Sequence, residues 1–434
     1  MSYRVKSGKF FHNGKELQIF GINWFGFEQP AHVFHGLWQV NFEQSLDMMK
    51  QCGFNALRIP VHPNILKNDT IEHNIEWKNP ELQKKRSLEA LDYVIAAMEK
   101  RGMMYIFDHH SVPTSNQNKR AGEIGEFWYN DFYSDAQWLS DLATLAKRYK
   151  GHESFIGIDI KNEPHGRATW GTGNRDTDFN LAAERAFKAI DEVNPDILIF
   201  VEGVEGGGSN WGGDLSGMAK TALNIPIDRL VLAPHAYGPS VYQQETFKKP
   251  EFPGNLSAMW ERQFGFLVAK GYTICPTEMG GLYTDEKATD NGKNHVVGEM
   301  IRDKTYLNTY YAWLKSKGII NFFFWCWNAN SGDTGGILGI NNNQGDFEHV
   351  NEVKLKGLKD ALYTSKATFL GDNHTPETPK PSDPKPSKHA FKVGDKIHPR
   401  MDGRITLTVE GLQTKKDGLY VRTSAVNKQD LFYK

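Results

Sequence analysis

Eight short apolar runs alternating with helix-patterned stretches predict an α/β fold: a (β/α)8 TIM barrel with an N-terminal hairpin, plus a small all-β C-terminal module. Three observations carry that reading. Strand-like and helix-like runs alternate, which implies a parallel sheet. Eight such units favour closure over an open sheet, and no GxGxxG loop follows the first run, which removes a dinucleotide-binding fold. A proline-rich break near residue 371 then separates the last unit from a short segment of different pattern.

In chain order, the chain from Tyr3 to about Leu17 alternates and turns at Asn13-Gly14, a hairpin signal placed to cap one end of a barrel. The strand candidates follow at Ile19–Asn23, Asn55–Ile59, Met103–Phe107, Phe155–Ile160, Ile197–Val201, Leu230–Ala233, Tyr272–Thr277 and Ile320–Cys326. Helical patterns lie between them at Phe42–Gln51, Leu82–Lys100, Ala136–Tyr149, Leu181–Val193 and Thr305–Lys317. Leu88, Leu91, Ile95 and Met98 show the three- and four-residue spacing that gives a helix one face for a sheet.

These patterns set the expected domains: a barrel over 1–370, an extended linker at 371–388 (GDNHTPETPKPSDPKPSK), and a β module at 389–434. The last segment has short alternating strands between Gly-Asp and Asp-Gly turns, of the SH3-like or small-barrel kind. Tethered binding to a polysaccharide or cell wall is its expected role.

Composition narrows the partners. Of the 434 residues, 51 are Lys or Arg and 52 are Asp or Glu, so a polyanion such as nucleic acid has no electrostatic support. The 12% aromatic content suits a surface that stacks on sugar rings. Cys52, Cys275 and Cys326 are too few and too far apart for a disulfide framework or a CxxC site. No run is long enough to span a bilayer, and MSYRVKSGKFF lacks a signal-peptide apolar region. The expectation is a secreted protein whose signal lies outside these residues, with the cytoplasm as the alternative.

In such a barrel, chemistry sits where the strands end. Reading off the polar and aromatic residues there gives Arg58, the run Asp108-His109-His110, Asn162-Glu163, His235 and Tyr237, Glu278, and Trp325 and Trp327. A lone glutamate after a strand more often caps a helix or pairs with a lysine. Two on different strands, with an amide at Asn162, a phenol at Tyr237 and a guanidinium at Arg58, match the two carboxyl groups that glycosidic cleavage requires. The histidines form no HExxH or Cys/His pattern, so neither a metal nor a cofactor is expected.

The chain resembles glycoside hydrolase family 5, the cellulase family of retaining (β/α)8 enzymes. The pieces that carry the resemblance are GINWFGFE at 21–28, HGLW at 35–38, NALRIP at 55–60, IGIDIKNEPHG at 157–166, HAYGPSVY at 235–242, TEMGG at 277–281 and FWCWNANSGDTGGIL at 324–338. It is most similar to bacterial endo-β-1,4-glucanases within the family. The resemblance implies Glu163 as acid/base and Glu278 as nucleophile, with Asn162 on a sugar 2-hydroxyl. Arg58, His110, His235 and Tyr237 would hold the carboxyl groups and the sugar. Trp325 would be a stacking platform, and Trp38 and Trp211 further platforms. Met279 departs from the aromatic usual in TEFGG, which touches packing, and the polar stretch from Tyr283 to Arg302 touches substrate preference. The alternatives are the same mechanism on mannan, xyloglucan or a glycolipid glycan, and a glycan-binding barrel without turnover.

Overall fold

The computed structural model describes residues 2–71, 74–113, 122–206, 209–285 and 302–371, and the backbone of four strands further on. The chain divides into two compact units, Met1–Pro376 and Glu377–Lys434.

The first unit is the barrel. Its strands are Phe20–Asn23, Ala56–Val61, Met104–His109, Phe155–Asp159, Leu198–Val201, Leu230–Leu232, Thr273–Ile274 and Phe322–Phe324. All are buried on both faces, as parallel strands covered by helices are. They pair in parallel from the first to the seventh, with the eighth beside the first. Closure comes from backbone bonds: Phe323 N donates to Pro276 O at 2.8 Å and Trp325 N to Met279 O at 2.9 Å.

Two strands continue after an interruption by proline, which has no N–H for the ladder. Pro234 separates the sixth strand from His235–Tyr237, and Pro276 falls between the seventh and Glu278–Gly280. These continuations pair with each other, setting His235 opposite Glu278.

Helices Phe42–Cys52, Ser87–Glu99, Asp135–Arg148, Phe179–Asp191 and Asp303–Ser316 match the expected patterns. The expected helix from Leu82 starts late because Lys84 takes φ +65, which ends the short turn Pro80–Leu82. Leu256–Gln263 and Glu352–Leu362 are helices that the periodicity did not single out.

The expected single hairpin is a three-stranded antiparallel sheet, Tyr3–Lys6, Lys9–His12 and Lys15–Leu17. Besides Asn13-Gly14 there is a turn at Ser7-Gly8, where φ is +47 and +82. Both central residues thus have positive φ, the tight-hairpin geometry, and serine there hides the signal that asparagine gives. This sheet plugs the lower end of the barrel. Tyr3 N bonds Asp196 O and Val5 N bonds Asp228 O, each at 2.9 Å. Phe10 and Ile19 pack there with Met104, Ile156, Phe200 and Phe323 in a separate apolar core.

In the second unit the described strands are Lys396–Ile397, Leu407–Lys415, Gly418–Thr423 and Leu431–Tyr433, joined antiparallel in that order. The expected linker, apart from Gly371, lies outside the described residues.

Candidate active site

The upper strand ends converge on Arg58, which is fully buried. Its Nη1 donates to Glu278 Oε1 at 2.6 Å and Asn23 Oδ1 at 3.0 Å. Its Nε donates to Asp159 Oδ2 at 3.1 Å, and its Nη2 reaches Asn162 Oδ1 at 2.9 Å, Asp108 Oδ2 at 3.1 Å and Glu202 Oε1 at 3.4 Å. Burial works against its charge, but these carboxylates outweigh it and raise the pKa well above the usual value.

Glu278 begins the continuation of the seventh strand and is 3% exposed. Burial alone would raise its pKa. His235, Arg58, His110 and the Tyr237 hydroxyl, which donates to Oε2, instead hold the carboxyl below its ordinary range. Gly280 is required beside it, since a Cβ there would meet Trp325 O at 2.3 Å.

Glu163 follows the fourth strand with φ +53, a left-handed conformation that costs a non-glycine residue about 1–2 kcal/mol. Its amide donates to Glu202 Oε2 at 2.7 Å, which holds the backbone in that turn. Nδ1 of His235 lies 3.1 Å from Glu163 Oε1 and 3.6 Å from Glu278 Oε2. Its Nε2 lies 3.0 Å from Glu202 Oε1. Burial would lower the His235 pKa; the surrounding carboxylates raise it well above the usual value and favour the imidazolium. Oxygens of Glu163 and Glu278 and the His235 nitrogen all lie within 4.8 Å of one another.

His110 is buried, with Nδ1 2.6 Å from Asp108 Oδ2, and its pKa is raised by that carboxylate and by Glu28 and Glu278 against burial. Its ring lies parallel to Trp325 at 5.7 Å, and Phe25 lies on Trp325 at the same distance. His109 turns away to Tyr133, Nε2 being 3.1 Å from the hydroxyl, and burial pushes its pKa down to about 3. Among the described residues, three sets of ligand-type groups are compact enough for an ion: Asp108/His110/Glu278, Asp159/Glu202/His235 and Glu163/His235/Glu278. In each, the carboxylates already bond Arg58, Tyr237 or an imidazole.

A cavity of about 760 Å³ opens over these groups. Its lining includes His110, Glu163, Tyr237, Glu278 and Trp325, together with Trp211, which is 42% exposed and stacked on His165 at 3.8 Å. Trp38 is half-buried, with His35 and Phe347 edge-on to its ring, where the left-handed turn at Gly36 sets that segment against the Phe347 ring.

Several site residues were not singled out in the sequence. Glu202 follows the apolar run Leu198–Val201 directly, so the strand-end rule that found Glu163 also points to it. Asp159 and Asn23 lie inside strands and carry no such signal.

The sequence profile described as Cellulase (glycosyl hydrolase family 5) matches residues 12–331. The chain belongs to glycosyl hydrolase family 5. This family 5 protein is 43% identical over 355 residues to the major extracellular endoglucanase of Xanthomonas campestris pv. campestris, covering 80% of this chain and 68% of that one. It is 37% identical over 340 residues to an endoglucanase of Paenibacillus polymyxa, covering 75% and 79%. Among solved structures, the catalytic domain of the Xanthomonas enzyme superposes with a TM-score of 0.71, covering 81% of this chain and 96% of that domain. A cellotetraose complex of the endocellulase from Pyrococcus horikoshii gives 0.74 at 34% identity, covering 83% and 98%. The family 5 protein is therefore a glycoside hydrolase of a retaining family, and its barrel is the family fold. Among the described residues no helix is long and apolar enough to cross a membrane.

Proposed function

We propose that the protein is an endo-β-1,4-glucanase in which Glu278 is the nucleophile and Glu163 the acid/base. The observation that carries this is the pair itself: carboxylate oxygens from the ends of two different strands, within 4.8 Å of one another and lining an open cavity. That spacing suits retention, where the carboxyl groups stand about 5–5.5 Å apart because one bonds the sugar directly.

Glu278, kept ionised by Arg58, His235, His110 and Tyr237, attacks the anomeric carbon as Glu163 gives its proton to the departing glycosidic oxygen. The C1–O bond to the leaving chain breaks as the C1–carboxylate bond forms. In the second half Glu163 takes a proton from water, the water oxygen bonds C1, and Glu278 leaves as a carboxylate. Asn162 has an Nδ2 without a partner among the described residues, a donor for a sugar hydroxyl. Trp325, flanked by Phe25 and His110, is the stacking surface under the sugar that Glu278 attacks.

Azide separates the roles of the two carboxyl groups. Glu278→Ala with azide should yield an α-glycosyl azide and Glu163→Ala a β-glycosyl azide; the reverse pattern overturns the assignment. A panel of cellulose, cereal β-glucan, mannan and xyloglucan checks the substrate, for which glucan is supported by the endoglucanase relatives.

Secretion is supported by the Xanthomonas relative, whose name calls it extracellular, and by the size of the polymer substrate. Residues 389–434 are read as a polysaccharide- or wall-binding module after the linker at 371–388; sedimentation of the full chain and of a chain ending at residue 370 with insoluble glucan tests it.

A further inference from the structure

The cavity does not end at Trp211. Ile124 and Trp211 also line a second cavity of about 540 Å³, together with Phe127, Tyr129, His165 and Arg167. That one shares Phe127, Tyr129 and Arg167 with a third of about 440 Å³, bordered by Phe132, which is 59% exposed. The three adjoin through these shared residues, and the second lies beside Glu163, since His165 Nδ1 is 2.7 Å from Glu163 O and Gly212 N, next to Trp211, bonds Pro164 O at 3.4 Å.

Along these cavities stand two aromatic rings, each backed by another. Trp211 lies on His165 at 3.8 Å and 7°, and Tyr129 on Phe127 at 5.4 Å and 13°. The backing ring fixes each platform before a ligand arrives, so little side-chain freedom is lost on binding. Tyr129 is held further by its hydroxyl on Asp176 O at 2.9 Å. At the rim, Arg167 bonds Glu126 Oε2 at 2.6 Å with a side chain that is 77% exposed, offering donors to hydroxyl groups.

We infer that these adjoining cavities are an extended leaving-chain site, in which Tyr129 and Arg167 hold sugar units of the departing glucan beyond the one at Trp211. The inference rests on the glucanase reading, because Glu163 protonates the leaving oxygen and so marks the side on which the departing chain lies. The occupant is the substrate's own continuation, since these cavities adjoin the catalytic one at Ile124 and Trp211, which line both.

The test compares cellohexaose, carrying ¹⁸O at its reducing end, with an aryl β-cellobioside whose leaving group stops short of Tyr129. For Tyr129→Ala the ratio of kcat/KM on cellohexaose to that on the aryl substrate should fall about five- to tenfold. Cuts should also shift toward the reducing end, because fewer units are held on the leaving side. Tyr129→Phe keeps the ring and should keep the wild-type cutting pattern. Arg167→Ala, on an exposed side chain, should shift the pattern in the same direction by a smaller amount. Cutting positions unchanged in both Tyr129→Ala and Arg167→Ala overturn the inference. Failure of the wild-type protein to hydrolyse either substrate would instead remove the glucanase reading on which it rests.

Discussion

The same eight strands end in opposite chemistry. At the lower end Phe10, Ile19, Met104, Ile156, Phe200 and Phe323 are fully buried and apolar. A few residues further along the strands, Arg58, Asp108, Asp159, Glu202 and Glu278 are equally buried and charged or titratable. Apolar burial stabilises at roughly 25 cal/mol per Å² with no geometric demand beyond fit. A buried ionic layer gains little net stability and loses several kcal/mol when one member goes. The lower end holds the barrel together, and that margin lets the upper end keep charges in a strained, functional arrangement.

The largest expected effect tests the upper end. Glu278→Gln should lower kcat on soluble β-glucan by about 10⁴-fold or more while leaving the circular dichroism spectrum unchanged. Activity near wild type would remove Glu278 from the mechanism.

Next is the ionic layer as a unit. Arg58→Met leaves the surrounding acids without their shared cation and should cost about 3–5 kcal/mol in urea unfolding, with loss of hydrolysis. A variant as stable as the parent would show that the upper layer is not held by charge.

The matching change below is Phe10→Ala, expected to cost about 3–4 kcal/mol in the same urea titration but to leave kcat/KM within about twofold. A large kinetic loss there would break the division of labour between the two ends.

The smallest effect is on pH dependence. Glu278 must be ionised to attack, and its lowered pKa extends the acid limb of kcat/KM below the ordinary glutamate range. The same depression contributes stability above the unfolded pKa that is lost as pH falls through the folded one. Tyr237→Phe removes one bond that lowers the carboxylate's pKa and should move the acid limb to higher pH. An unmoved limb would show that Arg58 and the imidazoles suffice.

Much of this was legible in the sequence, for reasons that differ by residue. Glu163 and Glu278 stand within three residues after apolar runs, so position marks them, and the match to family 5 agrees with the barrel that the alternation predicted. Asp159 was hidden because it falls within the run FIGID and reads as part of a strand; only inward alternation in three dimensions brings it to Arg58. The sheet at the lower end was half visible because Asn13-Gly14 announces its turn and Ser7-Gly8 does not. The surroundings of Trp38 were not legible because they depend on Phe347, more than three hundred residues away in the chain.

The lower face also gathers both ends of the barrel chain. Tyr3 bonds Asp196 O there, and Leu370 N bonds Gly102 O at 2.8 Å while its side chain packs on the lower core. Anchoring through either end would therefore orient the molecule on a bead or a fibre with its cutting edge toward the liquid, ready to meet a long polymer without the support standing in the way.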